Sequence, residues 1–221
     1  LLKGSQEVVI PYIDPRREEF LEYDISEAFV GLSRKSKSKI GIVSSFAVLS
    51  ASGSPYGGGG ESWALASEMQ KNFDVESIPL EALEISNEFD TVIVVHPKGA
   101  SEKFQYALDQ YVMRGGKLII AVDPMSRFDL SQNRSQPQMG GRPPSAASDL
   151  PKLFGAWDVT FSASDMVGDV GRGSNINAGG QVINYPFFMS LRKEDFSSES
   201  VITNNLNQIL FAEGGSFNFK S

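Results

Sequence analysis

The chain has 221 residues, 41% hydrophobic and 21% charged. That is enough apolar material for one large domain, or one domain with a smaller appendage, and it excludes wholesale disorder. The net charge of −7 comes from 27 acidic and 20 basic residues, and the single basic cluster, Arg34-Lys35-Ser36-Lys37-Ser38-Lys39, is too short to track a phosphate backbone, so nucleic acid is not an expected partner. With no cysteine, disulfides, thiol nucleophiles and Cys-based metal sites are excluded, and no stretch approaches the roughly 20 apolar residues that span a bilayer.

Val8-Val9-Ile10, ended by Pro11, reads as an edge strand. Residues 18–31 read as a helix with Leu21, Ile25, Ala28 and Leu32 on one face and Gly31 as its stop. Lys39 to Ser45 is short, apolar and β-branched, the pattern of a strand covered on both faces. A loop over 50–60 ends in four glycines and leads to a helix near 62–72, with Leu65, Ala66, Met69 and Phe73 on one side. Phe73 to Ile78 is a second strand.

Thr91-Val-Ile-Val-Val95 is the clearest buried strand. Ser101 can cap the helix after it, Phe104, Ala107, Leu108 and Tyr111 form that helix's apolar stripe, and Gly115-Gly116 ends it. Lys117 to Val122 is the next strand, stopped by Asp123-Pro124. Strand, helix, strand within some thirty residues is the βαβ unit, whose crossover imposes parallel pairing. The expected fold is therefore α/β, a mostly parallel sheet flanked by helices.

From Met125 the chain turns polar, with Pro137, Pro143 and Pro144, and 126–148 reads as a loop or flap. A short helix is expected over 149–154, strands over 157–161 and 181–183, a glycine-rich loop over 168–180, and a helix after Val201-Ile202 carrying Leu206, Ile209 and Leu210. The expected organisation is a core α/β part over 1–125, the flap over 126–148, and a C-terminal part over 149–221 that completes the sheet or packs on it. Because the chain starts at Leu1 without Met and stops at Lys220-Ser221, it reads as a piece of a longer protein.

Four chemistries compete for the polar residues. The Gly57–Gly60 loop lies where phosphate cradles sit, but Gly60 is followed by Glu61 instead of the Lys-Ser/Thr of a P-loop, and a carboxylate there repels phosphate. One histidine and no cysteine leave only carboxylates for a metal, and Asp165-Met-Val-Gly-Asp169 lacks the alternating oxygen ligands of a calcium loop, so neither metal nor cofactor is expected. Ligands of open α/β sheets collect at the carboxyl ends of strands. Ser44 and Ser45, His96 and Lys98, and Asp123 follow or end three successive strands, which makes them the candidate ligand-binding set. The alternative is a hydrolase using His96, Asp123 and a nearby serine, although no G-x-S-x-G elbow is present to expose that serine. No catalytic residue is assigned.

Several strings carry a family likeness. Thr91-Val-Ile-Val-Val-His-Pro-Lys98, Tyr106-Ala-Leu-Asp-Gln-Tyr111, Arg114-Gly-Gly-Lys117 and Ala121-Val-Asp-Pro124 resemble the auxiliary component of ABC-type transport systems, a family that includes gliding-motility-associated subunits. Ser148-Asp-Leu-Pro-Lys-Leu-Phe-Gly-Ala-Trp157, Thr203 to Leu210 with Gly214-Gly215, and Glu19 to Ser26 extend the resemblance to most of the chain. The resemblance implies a periplasmic, extracytoplasmic domain of an inner-membrane protein, anchored by membrane segments outside this sequence. It implies a sheet similar to the flavodoxin-like or class I glutamine-amidotransferase-like arrangement. The partners it implies are the permease and ATPase subunits of the same system; a small solute or envelope glycan is a further expected contact, which the resemblance itself does not name. Amidotransferases of that shape use a Cys–His pair that this chain lacks, so the implied role is binding or assembly and not catalysis.

Overall fold

Three short apolar, β-branched runs and a polar edge strand build the parallel sheet of the molecule, as seen in a computed structural model that describes residues 1–3, 6–10, 12, 15, 18, 21–33, 36–49, 63–134 and 145–219. The chain opens with a small antiparallel pair, β1 (Leu2–Lys3) and β2 (Gln6–Glu7), closed by the Val8 amide donating to the Leu1 carbonyl oxygen. The strand expected at 8–10 does not form: Val8 exchanges bonds with Leu1 at the end of the β1–β2 pair, and Val9 and Ile10 lie outside it. Helix α1 (Leu21–Ser33) runs through Gly31, where no stop occurs. Leu32, one residue on, is buried and holds the last turn down.

The parallel sheet is built from β3 (Lys39–Ser44), β4 (Asp74–Ser77), β5 (Thr91–Val95) and β6 (Lys117–Ala121), with α2 (Ala64–Asn72) and α3 (Glu102–Met113) as crossovers. Its strand order is β4-β3-β5-β6, and all three pairings are parallel. Alternation divides the apolar residues between two faces. Val43, Val92 and Val94 join Phe104, Ala107, Leu108 and Tyr111 of α3 on one side, and Ile40 and Ile42 meet Ala66 of α2 on the other. Leu65, expected on the inner side of α2, is instead about half exposed.

The turn after α3 explains two adjacent glycines. Gly115 has φ +93°, a left-handed conformation that closes the helix, and a Cβ on Gly116 would collide with the Tyr111 ring. That ring is fixed by its hydroxyl, which donates to the Phe89 carbonyl oxygen at 2.9 Å. At the other end of α3 the Ser101 hydroxyl accepts the Phe104 amide at 3.1 Å, the cap expected there.

Beyond β6 the structure departs from expectation. A helix, α4 (Arg127–Arg134), occupies the first part of the segment read as a flap. Only Phe128 and Leu130 mark it as amphipathic, so periodicity is silent. The Ser126 hydroxyl accepts the Asp129 amide at 3.3 Å, a start signal of the Ser-x-x-Asp type. Helix α5 (Pro151–Ala156) follows, and its Leu153 and Phe154 join the core cluster around Val92 and Val94.

The remaining strands do not extend the parallel sheet. β7 (Val159–Phe161) pairs with the last strand, β11 (Phe217–Phe219), and β8 (Gly173–Ala178), β9 (Gln181–Arg192) and β10 (Gln208–Ala212) form an antiparallel ladder of order β10-β9-β8. The glycine-rich loop expected over 168–180 therefore contains a strand, and the helix expected around Leu206, Ile209 and Leu210 is a strand instead. Ile209, Leu210 and Phe211 lie opposite Leu191, Ser190 and Met189. A short apolar run with a β-branched and an aromatic residue fits either state, and ladder pairing decides it.

Candidate functional site

Ser44 ends β3 opposite Val95, which ends β5, so the next residues, Ser45 and His96, emerge side by side. The His96 carbonyl oxygen accepts from the Ser45 hydroxyl and from the Lys98 amide at 2.8 Å, and the His96 amide donates to the Ala121 carbonyl oxygen of β6 at 2.9 Å. With φ +48°, His96 turns the chain off β5 through the left-handed region, where an ordinary side chain is uncommon. The Ser44 hydroxyl accepts the Phe46 amide at 3.0 Å and orients the next turn.

The imidazole is buried, 3% exposed, and lies flat on Phe46 with centroids 4.6 Å apart and planes 5° apart. Phe128 of α4 meets both Phe46 and Trp63 edge-on, at 4.7 and 5.2 Å. Three aromatic residues from three segments thus wall the carboxyl ends of β3 and β5. Asp129, the neighbour of Phe128, places Oδ2 2.5 Å from the Lys98 ammonium and 3.7 Å from His96 Nε2. Neither ring nitrogen has a hydrogen-bond partner among the described residues. Burial pushes the His96 pKa below its ordinary value, Asp129 opposes this, and the Lys98 charge adds to the lowering, so the ring is neutral at pH 7.

Of the five residues singled out in the sequence, Ser44, Ser45, His96 and Lys98 gather here. Asp123 makes other contacts. Its amide donates to the Ser148 hydroxyl at 3.0 Å, its carbonyl oxygen accepts the Ser148 amide at 2.9 Å, and its carboxylate accepts the Met125 amide at 2.8 Å. It holds the turn through Pro124, and burial raises its pKa, with the Glu213 charge adding to the effect. Among the described residues no serine hydroxyl bonds the His96 ring, and the Ser45 hydroxyl serves the His96 main chain instead. Asp129 and the three aromatic residues were not singled out in the sequence, and Ser126-x-x-Asp129 is the one signal that points to them. The Gly57–Gly60 loop lies outside the described residues, as do Arg34 and Lys35 of the basic cluster. Lys39 is paired with Glu76 and Glu88 at 2.8 and 2.9 Å. Among the described residues, no three His, Asp or Glu side chains converge as a metal-ligand set.

A second polar cluster lies beyond β6. Glu213, 1% exposed and with φ +52°, accepts Nε and Nη2 of Arg127, each at 2.5 Å, and the Tyr185 hydroxyl at 2.7 Å. Burial alone would raise its pKa, but these bonds outweigh burial and hold it below the ordinary value. Arg127 also lies over the Phe188 ring at 4.7 Å. The cluster fastens the antiparallel ladder to α4, and α4 carries Phe128 and Asp129 into the first site.

The model of one family, described as an ABC-type uncharacterized transport system, matches residues 37–221. The chain belongs to that family. This auxiliary component of an ABC-type transport system matches no curated protein and no solved structure. Every residue of both polar clusters falls inside the matched range of the ABC-type component, whereas β1, β2 and α1 precede it, as does the Glu19–Ser26 string that resembled the family in sequence. Among the described residues no helix of the component is long and apolar enough to cross a membrane.

Proposed function

We propose that the chain is a non-enzymatic binding or scaffold domain of an ABC transporter auxiliary subunit, placed on the periplasmic side of an inner membrane. There it works with the permease and ATPase subunits of its system and presents the His96 edge to a solute, a glycan or a partner subunit. The observation that carries this reading is the position of His96. From β3 the chain crosses one way to β4 and then to the other side for β5, so the carboxyl ends of β3 and β5 flank a topological switch point, where ligands of open α/β sheets bind. The order β4-β3-β5-β6 is also that of the first four strands of a flavodoxin-like sheet, which is the arrangement we infer. The Ser45 hydroxyl, given to the His96 carbonyl oxygen and not to its ring, favours recognition over serine-based proton transfer.

The experiment is extraction of the full-length auxiliary subunit from membranes, followed by identification of copurifying proteins and measurement of transport with His96→Ala. Copurification of permease and ATPase, with transport partly retained, is expected. A folded, fully assembled His96→Ala complex with no transport at all would sink the non-catalytic reading. Because the chain is cysteine-free, a Met113→Cys probe at its 75% exposed position tests location. Labelling by an impermeant maleimide is expected once the outer barrier is opened, and labelling only after inner-membrane lysis would exclude the periplasm.

A further inference from the structure

The edge where ligands of an open α/β sheet collect is covered in this structure. His96 stands there with both ring nitrogens sealed from water, and neither has a hydrogen-bond partner among the described residues. Helix α4 brings two adjacent side chains to the same place. The Phe128 ring stands edge-on against Phe46 and Trp63, and the Asp129 carboxylate lies 2.5 Å from the Lys98 ammonium and 3.7 Å from His96 Nε2. Apolar packing does not anchor this helix in the core. Phe128 and Leu130 are half-buried, and neither joins the two core clusters. Nor is the ion pair a strong fastening. The Asp129 and Lys98 side chains are 11% and 31% exposed, and desolvation offsets much of the attraction in a pair so far out of water.

We propose that Phe128 and Asp129 occupy the seat of a small organic acid whose carboxylate stands beside an apolar ring, and that α4 lifts to admit it. The seat has three parts. Lys98 supplies a positive charge. The His96 ring, with its proton on Nε2, supplies a donor that Asp129 leaves unused, because 3.7 Å is beyond hydrogen-bond reach. Phe46 and Trp63 supply aromatic faces. Asp129 is fixed to its helix, its amide on the Ser126 hydroxyl, so its carboxylate meets Lys98 and falls short of His96. An untethered carboxylate can set one oxygen on each. The ligand is an acid and not a neutral solute, because the group it displaces is a carboxylate and the ammonium left behind needs a new counter-charge. Its affinity is reduced by the fraction of molecules in which α4 is lifted. This inference rests on the reading of the His96 edge as a recognition site and deepens it by naming the ligand class.

Isothermal titration calorimetry of the 221-residue chain with 3-phenylpropionate tests the seat, with 3-phenylpropionamide as the uncharged control. Wild type is expected to bind the acid weakly and the amide more weakly still. Asp129→Asn keeps the side-chain shape and removes the competing charge, and it should bind the acid about tenfold tighter. Phe128→Ala vacates the aromatic seat and should tighten binding several-fold. A helix that only completes the fold predicts no gain from either change. Adding Lys98→Gln to Asp129→Asn should bring the affinity below that of wild type. Circular dichroism checks the fold of each variant, and if one of the two single variants does not fold, the other decides. Acid binding no tighter in a folded variant, an amide bound as well as the acid, or binding indifferent to Lys98→Gln would each overturn the proposal. Those outcomes leave copurification with permease and ATPase untouched, so the transport reading stands or falls separately.

Discussion

Glu213 and His96 are both sealed from water, 1% and 3% exposed, and both stand at left-handed backbone positions. One is bonded on every side, receiving two nitrogens of Arg127 and the Tyr185 hydroxyl. The other lies on an aromatic face, and its ring nitrogens have no hydrogen-bond partner among the described residues. The contrast separates two uses of a buried polar group. Glu213 joins elements, and removing it strands its partners. His96 contributes little to holding the fold together, and its unsatisfied nitrogens cost stability that a purely structural position would have no reason to bear.

The largest effect is expected away from both residues. Phe104→Ala removes a fully buried ring from the core between α3 and the sheet and should cost about 3–5 kcal/mol in urea denaturation. It sets the scale for the other two. Glu213→Gln keeps the shape but removes the charge that Arg127 and Tyr185 bond, and a loss of about 2–3 kcal/mol is expected, toward the lower end because Arg127 is largely exposed. His96→Leu should change stability by less than about 1 kcal/mol in either direction, since no protein hydrogen bond is lost. Should the two substitutions cost the same, the contrast fails and the ring has a partner that the geometry conceals.

Acid resolves the pair further. The folded-state pKa of His96 lies below its unfolded value, so as pH falls below about 6.5 the unfolded chain takes up a proton that the folded chain resists, and stability declines. Glu213 is also held below its unfolded value. Its contribution is complete above about pH 4.3 and is lost as pH falls through the folded pKa. The decline below about pH 6.5 should therefore be absent in His96→Leu, while the step at lower pH that depends on Glu213 persists. A further modest effect concerns neither cluster. Ser101→Ala, which deletes the cap of α3, should cost about 1 kcal/mol with no change in either pH step.

The sequence foretold the parallel part of the fold and left the antiparallel part hidden, for a physical reason. Ile40 to Val43 are buried, and Val92 to Val95 are buried on one face and half-buried on the other, so burial writes a continuous apolar run, and Gly115-Gly116 marks a helix end that only glycine can make against Tyr111. β8 reads Gly-Ser-Asn-Ile-Asn-Ala, and β9 is exposed over much of its length, so neither carries a burial pattern to detect. The site divides along the same line. Ser45 and His96 were visible because they end legible strands. Asp129 and Phe128 lie on α4, a polar helix positioned by Arg127 and Glu213 across 86 residues of chain, a contact no local pattern encodes.

His96 is the only histidine of 221 residues, and that has a practical consequence. Its ring C–H protons are the chain's sole imidazole signals in a proton NMR spectrum, displaced by the ring current of the Phe46 face 4.6 Å away. Titrating those two lines reads the protonation of one defined position without labelling or mutation. The same lines would move when a solute, a glycan or a partner subunit reached the aromatic wall, so mixtures can be screened for binding before any ligand has been identified.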